Sequence, residues 1–594
     1  MKISFRFPQT LSDYATRRYR SHSVLFCCAF IAVLPLVWRG TSCGHDFDFH
    51  LQSWLETAQH WREGVFYPHW DASANYGAGE PRFVFYPPAT WMLGALLGTI
   101  FPWNWVPAAF TFLAFLASGA SFYKMARAWM PEDAATAAAC IYVLNPYLLF
   151  VAYERTAYGE LLSAALFPLL VLYGLQKETG LLPLASIIAA LWLTNAPSAV
   201  MGSYFLALIT ILSALRSSSL EYVVRSTKAF LLGIGLAAFY IVPAYYEQRW
   251  VEISRAIGPG MRVEDSFLFE HTGAVFHDQV LRSASWIAVA MLTATFIAAW
   301  LSLKSDSMFC SQKDLLFPQM ENRTLWLVMT SSATVILLLL LPFSRFLWYH
   351  LPELVFLQFP WRWLLVLGVA MCTLIGLAFR GHLQEAGTRR SILTPSLLVI
   401  LTAAILSFLA AKVFWQPCDE EDNVAAQRMA LQYDGFEGTD EYTALGTDNS
   451  SIQRHRPLVE TVHAADAEQG ESGNTENPEW QPESQQSIPA RIKILNWQTE
   501  NKTIEITTKA PADALLRLVD YPAWRVTLNG KLSTKRPHRE DGLMVLPLPS
   551  GKSVISIRYT ATTDVKLGRI FSLLALGIAI LLFLRTKKQR ELRV

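Results

Sequence analysis

Charge is what this sequence has least of. Only 16% of its 594 residues are Asp, Glu, Lys or Arg, against roughly 25% in a soluble globular chain. Hydrophobic residues make up 52%, and apolar runs recur from Ser23 to Leu584. A soluble multidomain enzyme, a disordered chain and a fibrous protein are therefore excluded. An excess of one sign is also missing: 50 basic and 48 acidic residues leave a net charge of +2, which provides no basic face for nucleic acid. Cysteine is sparse and scattered, at Cys27, Cys28, Cys43, Cys140, Cys310, Cys372 and Cys418. With no CxxC and no His/Cys spacing suited to zinc, neither a disulfide framework nor a thiolate metal site is expected. The membrane portion shows no convincing internal repeat. What is there is an integral membrane protein.

The run Ser23–Trp38 follows Lys2, Arg6, Arg17, Arg18 and Arg20. It reads as a retained first span with an inside-facing amino terminus, because no small-x-small cleavage site follows it. The 13 residues of Ala89–Phe101 would reach only about 20 Å as a helix, short of the roughly 30 Å hydrocarbon core. If that helix lies in the outer interface, further spans fall at Val106–Tyr123, Ala134–Val151, Leu161–Leu175, Leu181–Leu193, Val200–Leu215 and Ala229–Tyr246. The rest are Trp286–Leu303, Leu325–Leu341, Trp363–Phe379, Ile392–Phe414 and Ile570–Leu584. The connections carrying Lys124/Arg127, Lys177, Arg216/Arg225/Lys228, Lys304/Lys313/Arg323 and Arg380/Arg389/Arg390, and the tail Arg585–Arg590, then all face the cytoplasm.

The predicted fold is thus mainly α: a bundle of about twelve spans with both termini cytoplasmic, in a plasma (inner) membrane. Its parts are a tail (1–22), a transmembrane domain (23–414) with a long first outer loop (40–105), and an outer extension with a polar linker (415–487). A small extracytoplasmic β-sandwich-like domain (488–565) and a last span with its basic tail (566–594) follow. The β domain is read from alternating runs at Arg491–Trp497, Thr503–Thr508, Ala514–Val519, Trp524–Leu528, Leu543–Leu546 and Val554–Tyr559, with Asn529-Gly530 as a hairpin turn. Pro457–Ser487 is polar and acidic and reads as a flexible tether, which would make the β domain dispensable for insertion.

This topology gathers several polar stretches on one membrane face. His45-Asp46-Phe47-Asp48-Phe49-His50 offers two carboxylates and two imidazoles directly after the first span, suited to a divalent cation or to general-base work. Asp46 and Asp48 share a face in a strand, Asp46 and His50 in a helix; an N-cap on a helix starting near Phe49 explains the acidic residues equally well. Glu80 and Arg82 sit beside Gly77 and Gly79, with a solvated ion pair the slightly favoured reading. Glu154, Arg155 and Glu160 lie in a tight turn at Tyr153–Glu160, where snorkelling to water competes with function. Arg345 and Arg362 bracket the stretch before the Trp363 span. An arginine fork suits phosphate oxygens, although Arg362 could also be an interfacial anchor.

These stretches resemble the GT-C superfamily of polytopic glycosyltransferases. The likeness is greatest to the bacterial and archaeal membrane proteins labelled 6-pyruvoyl-tetrahydropterin synthase-related. It is carried by HDFDFH (45–50), YPHW (67–70), GAGEPRFVFYPP (77–88), YERTAYGE (153–160) and LQFPWRWL (357–364), with YDGFEGTDEYTAL (433–445) and YPAWRVTLNGK (521–531) in the outer tail. The resemblance implies a cell-envelope transferase whose first outer loop carries an acidic motif, matched by Asp46 and Asp48 as catalytic residues or as ligands of a divalent cation (Mg or Mn). It implies a polyprenyl-phosphate sugar donor, its phosphate met by Arg155 and Arg362, and a glycan, lipid or protein acceptor. His50, Glu80, Arg82, Glu154 and Glu160 are the substrate-binding candidates. The zinc-binding histidine pattern of the soluble pterin enzyme is absent, so pterin chemistry is rejected. A flippase or transporter of lipid-linked sugars would want charges in mid-span and repeated halves; a non-catalytic assembly protein is the third alternative.

Overall fold

The computed structural model describes residues 11–176, 180–304, 322–386, 393–463, 488–534 and 536–591. Lys2, Arg6, Lys177, Lys313, Arg389 and Arg390 of the basic segments, Cys310, and 464–487 of the polar tether lie outside the described residues.

Long apolar runs form helices because lipid offers no partner for backbone N–H and C=O groups. Among the described residues, nine helices are long and apolar enough to cross a membrane, or ten if Glu221–Leu236 and Ala238–Trp250, bent by 75°, make one broken span. The sequence reading expects about twelve. Of the expected spans outside that count, Leu181–Thr194 is a shorter apolar helix whose 14 residues rise only about 21 Å, whereas the expected Ile392–Phe414 is a helix of 22 residues, Leu393–Phe414. Burial separates the spans. Pro360–Phe379 is 83% buried and runs through the middle of the bundle, whereas Thr563–Lys587 is 11% buried and lies at the rim.

The first span, α1 (Leu11–Arg39), leads through Gly40–Asp46 into α2 (Phe47–Arg62). The short helix Pro88–Ile100 packs on α2 with the Trp54 ring lying where a Cβ of Gly94 would be. Trp54 also stacks on Phe110, at 5.1 Å between ring centres, so the first loop is seated on the bundle by an aromatic core.

The carboxy-terminal part is an antiparallel sandwich. One sheet has the order β1-β4-β7 (Val459–Val462, Ala512–Val519, Leu543–Leu548). The other has the order β2-β3-β8-β5-β6 (Ala490–Trp497, Asn501–Thr508, Gly551–Tyr559, Trp524–Leu528, Lys531–Leu532). The six alternating runs are strands, and Asn529-Gly530 turns β5 into β6 with both residues at positive φ (51° and 79°). The segment read as the start of a tether is instead β1, paired with β4 from Val459↔Leu516 to Val462↔Asp513. That pairing lies more than 50 residues away in the chain, beyond any local pattern.

Nor does the sandwich merely hang beside the bundle. Trp70 of the first loop, 1% exposed, lies in its core against Trp524 and Tyr521, Val519 N–H donates to Ala78 O (2.9 Å), and Tyr521 Oη donates to Glu247 (2.6 Å). The cysteine reading is also corrected: Cys43 and Cys418, 375 residues apart, form a disulfide. Sequence spacing carries no trace of such a pair.

Candidate functional site

Two short segments build the site. Pro146–Phe150 is a helical turn capped by Asn145, whose side chain accepts from Leu148 N–H. It runs into a π-helical turn at Val151–Arg155 that ends on Thr156 at φ 49°. That wide turn exposes its last carbonyls, and the chain entering α2 uses them: His45 N–H donates to Glu154 O (3.4 Å) and Asp46 N–H to Arg155 O (2.9 Å). Gly44 is needed here because a Cβ would overlap the Glu154 carbonyl.

Asp46 therefore arrives beside Arg155. Its Oδ2 accepts from Arg155 Nη2 at 3.0 Å and its Oδ1 meets His45 Nδ1 at 2.7 Å. Asp46 is the N-cap residue of α2, yet its side chain makes no cap hydrogen bond. The cap explanation fails for Asp46: the carboxylate is turned to the cluster instead. Asp48 turns elsewhere and accepts from Phe49 N–H at 2.7 Å.

The guanidinium of Arg155 forks between two acids, donating through Nη1 to Glu160 Oε2 at 2.6 Å. Tyr147 Oη also donates to Glu160. Arg362 comes from the opposite side, its Nε 3.6 Å from Glu160 Oε2 and its Nη1 donating to Leu357 O at 2.9 Å. Its Nε is buried without a hydrogen-bond acceptor among the described residues. Phe359 and Trp361 are stacked and floor both arginines, with Arg155 4.9 Å from the Trp361 ring and Arg362 5.0 Å from Phe359. The cluster is closed to water except at one edge, where the Asp46 and His45 side chains are 25% and 47% exposed.

The charges follow from this packing. Burial works against the ionised form of Asp46, but the Arg155 guanidinium and the His45 imidazole outweigh it and hold the carboxyl far below the usual range. The hydrogen bond to Asp46 raises His45 in return. Burial pushes His50 down to about 4; it is a neutral imidazole held by Tyr86 Oη at 3.0 Å and packed on Tyr158.

Of the nine residues singled out in the sequence, four meet: Asp46, Arg155, Glu160 and Arg362. His50 lies behind them, and Glu154 faces away, accepting from Gln416 Nε2 at 2.7 Å. Glu80 and Arg82 form a separate cluster with Asp71. Arg82 Nε is 2.7 Å from Glu80 and 3.2 Å from Asp71, and all three side chains are at most 1% exposed. The solvated pair expected there is corrected to a buried one, because Thr439 of the outer extension closes over it, donating to Glu80 from N–H (2.7 Å) and Oγ1 (3.0 Å). His45, Tyr147 and Trp361 join the main cluster without having been selected. His45 stood in the acidic motif, and the Asn145-Pro146 helix start was the available signal for Tyr147.

A divalent cation does not fit this arrangement. Asp46 is engaged by Arg155 and His45, Asp48 points away, and no group of three His, Cys, Asp or Glu side chains among the described residues is disposed to hold a metal.

No family model and no curated protein matches the chain, so the pterin synthase-related likeness rests on motifs alone. Solved structures give loose likenesses. The arabinofuranosyltransferase AftD from Mycobacteria shares 16% identity at TM-score 0.41, over 68% of this chain and 27% of that one. The Archaeoglobus fulgidus oligosaccharyltransferase in its apo form shares 14% at TM-score 0.38, over 70% and 56%. ArnT from Cupriavidus metallidurans, bound to undecaprenyl phosphate, shares 10% at TM-score 0.26, over 68% and 88%. This chain spans about a quarter of the first protein and little more than half of the second. At such identities the chemistry has to be argued from this chain's own residues.

Proposed function

We propose that the protein is a GT-C-type membrane glycosyltransferase that moves a sugar from a polyprenyl-phosphate donor to an acceptor on the extracytoplasmic face. The observation that carries this reading is the pair Arg155 and Arg362, buried beside a carboxylate that is partly open to solvent. A buried cation whose Nε lacks an acceptor is costly unless an anion completes it. Two converging guanidinium groups suit a phosphate better than a carboxylate already paired on one side.

In this mechanism the donor phosphate takes up Arg362 Nε and competes with Asp46 for Arg155. Losing that cation raises the proton affinity of Asp46, which sits at the one open edge where an acceptor hydroxyl can approach. The hydroxyl oxygen attacks the anomeric carbon, its proton passes to Asp46, and the bond from that carbon to the phosphate oxygen breaks with its electron pair. The departing phosphate dianion is stabilised by the two arginines. His45, protonated more readily than an ordinary histidine, keeps Asp46 ionised between turnovers. Glu160 and Tyr147 hold Arg155 in place, and the stacked Phe359 and Trp361 keep water from the phosphate. Glu80 and Arg82 act at one remove by fixing the first loop. No step requires a metal. The extracytoplasmic placement is supported by the basic connections at 124–127 and 216–228, which belong at the other end of the bundle.

The test is transfer of radiolabelled sugar from a panel of polyprenyl-phosphate sugars by the purified full-length protein. The reading predicts transfer that Asp46→Asn abolishes. A folded wild-type protein that transfers from none of them, in the presence of a membrane extract as acceptor source, would falsify it.

A further inference from the structure

We propose that the Cys43–Cys418 disulfide is a positioning element of the site. It holds the chain that carries Asp46 in register with Arg155, so the cluster assembles fully only in the oxidised protein. This rests on the glycosyltransferase reading for the role given to Asp46.

Three segments far apart in sequence are laced together directly behind Asp46. Ser42 Oγ donates to Tyr153 O (2.7 Å) and accepts from Gln416 N–H (3.0 Å). Cys43 N–H donates to Gln416 O (3.1 Å). The Gln416 side chain crosses to Glu154 Oε1 (2.7 Å), the residue whose carbonyl accepts from His45 N–H. Below this layer the Arg39 guanidinium lies over the Trp415 ring at 4.5 Å and donates to Ala411 O (3.3 Å). Segments 39–46, 153–155 and 415–418 thus form one layer, with a seam between 41–43 and 416–418. The hydrogen bonds between Ser42 and Gln416 in that seam are only partly buried. The disulfide closes it three residues before Asp46.

Asp46 needs such help because burial alone does not hold it. Its side chain is 25% exposed, and its helix offers no side-chain cap bond to fix its rotamer. A shift of about 1 Å in the 43–46 segment would part Oδ2 from Arg155 Nη2, and misplacements of that size are enough to slow catalysis by roughly 100-fold. The bond also dictates where the protein can work. Disulfides persist in oxidising compartments, so this end of the bundle belongs on the side away from the cytoplasm, as the basic connections require independently.

The experiment uses the full-length protein in lipid nanodiscs, before and after treatment with tris(2-carboxyethyl)phosphine. The phosphine breaks the S–S bond, leaving two thiols and ending as its oxide with oxygen from water. Hydrogen exchange is followed by mass spectrometry beside transfer kinetics. On reduction, exchange in the peptide covering 43–47 should rise at least 10-fold, with the β sandwich and the spans unchanged. Transfer should fall at least 10-fold in kcat while donor KM stays within about twofold. Reoxidation with diamide should restore both, and Cys43→Ser/Cys418→Ser should reproduce the reduced exchange pattern. Three results would overturn the proposal: free thiols at Cys43 and Cys418 in protein purified without reductant, unchanged exchange at 43–47, or a rise spread evenly over the whole chain, which is the mark of a purely stabilising tie. A reversible local rise in a protein that transfers from no polyprenyl-phosphate sugar supports the positioning and sinks the catalytic reading alone.

Discussion

Two arginine-centred clusters lie on the same end of this bundle, and they differ in what surrounds them. Around Arg82, the acids Asp71 and Glu80 and the covering Thr439 leave nothing open: every charged side chain there is at most 1% exposed. Around Arg155 the packing is just as tight on the Glu160 side, but Asp46 reaches the surface and Arg362 brings a second cation whose Nε has no hydrogen-bond acceptor among the described residues. A closed cluster, one arginine held between two buried acids, locks elements together. An open one, in which a guanidinium Nε still lacks a hydrogen-bond acceptor among the described residues, can accept a ligand. In sequence both read as acidic and basic residues in outer loops. The difference between them is made by what packs on top.

The comparison breaks most visibly at its closed half. Arg82→Met leaves Glu80 and Asp71 buried without their cation, a loss of about 3–5 kcal/mol. Thermal unfolding of the full chain should show a large drop in Tm, with residual transfer tracking the folded fraction. An unchanged Tm would mean that the cluster is not a lock.

At the open half the order of effects reverses. Asp46→Asn keeps the size of the side chain and should leave Tm near wild type while lowering transfer by roughly 100-fold or more, the scale of a lost acid–base group. Asp48→Asn should do the same or less. Full activity in both single variants and in the double variant would remove the first loop from the chemistry.

Arg362→Lys sharpens the distinction further, since it retains the charge and loses the fork. A hydrogen bond to a charged group contributes about 1.5–3 kcal/mol, so donor KM should rise by roughly 10-fold or more with little change in Tm. Equal effects on donor and acceptor KM would count against a phosphate contact.

The smallest effect concerns pH. Lys502 donates to Gln498 O and Thr499 O beneath the Trp524 ring, beside the contact of Thr499 with Glu63 of the first loop. Burial pushes its ammonium down to about 7. Between there and the ordinary lysine value the unfolded chain binds the extra proton, so stability should rise with pH across that window and be flat below it. The slope is at most about 1.4 kcal/mol per pH unit. Lys502→Met should flatten it; an equally steep slope in that variant would assign the titration to another group.

Much of the fold could be read without coordinates, and the reasons are local. Apolar runs such as Val106–Tyr123 make helices whatever they pack against, and Trp524–Leu528 alternates with period two whichever strand lies beside it. Reading failed where an element depends on a distant partner. Val459–Val462 sits in polar surroundings and is a strand only because β4 pairs with it. The run at Leu181–Leu193 is apolar enough for a span, but apolar composition does not count the residues needed to cross a bilayer.

The site divides in the same way. The sequence by itself determined that acidic and basic groups would stand at the ends of apolar helices, since charges are expelled from mid-bilayer, and it placed Asp46, Arg155, Glu160 and Arg362 in stretches of that kind. Only the tertiary structure decided that these four meet while Glu80 and Arg82 pair with Asp71. It also decided that Cys43 reaches Cys418 and that Trp70 is buried in the sandwich. Asp46 and Arg155 are 109 residues apart. Periodicity and propensity act over a few residues, whereas contacts over such distances are chosen by how whole helices pack.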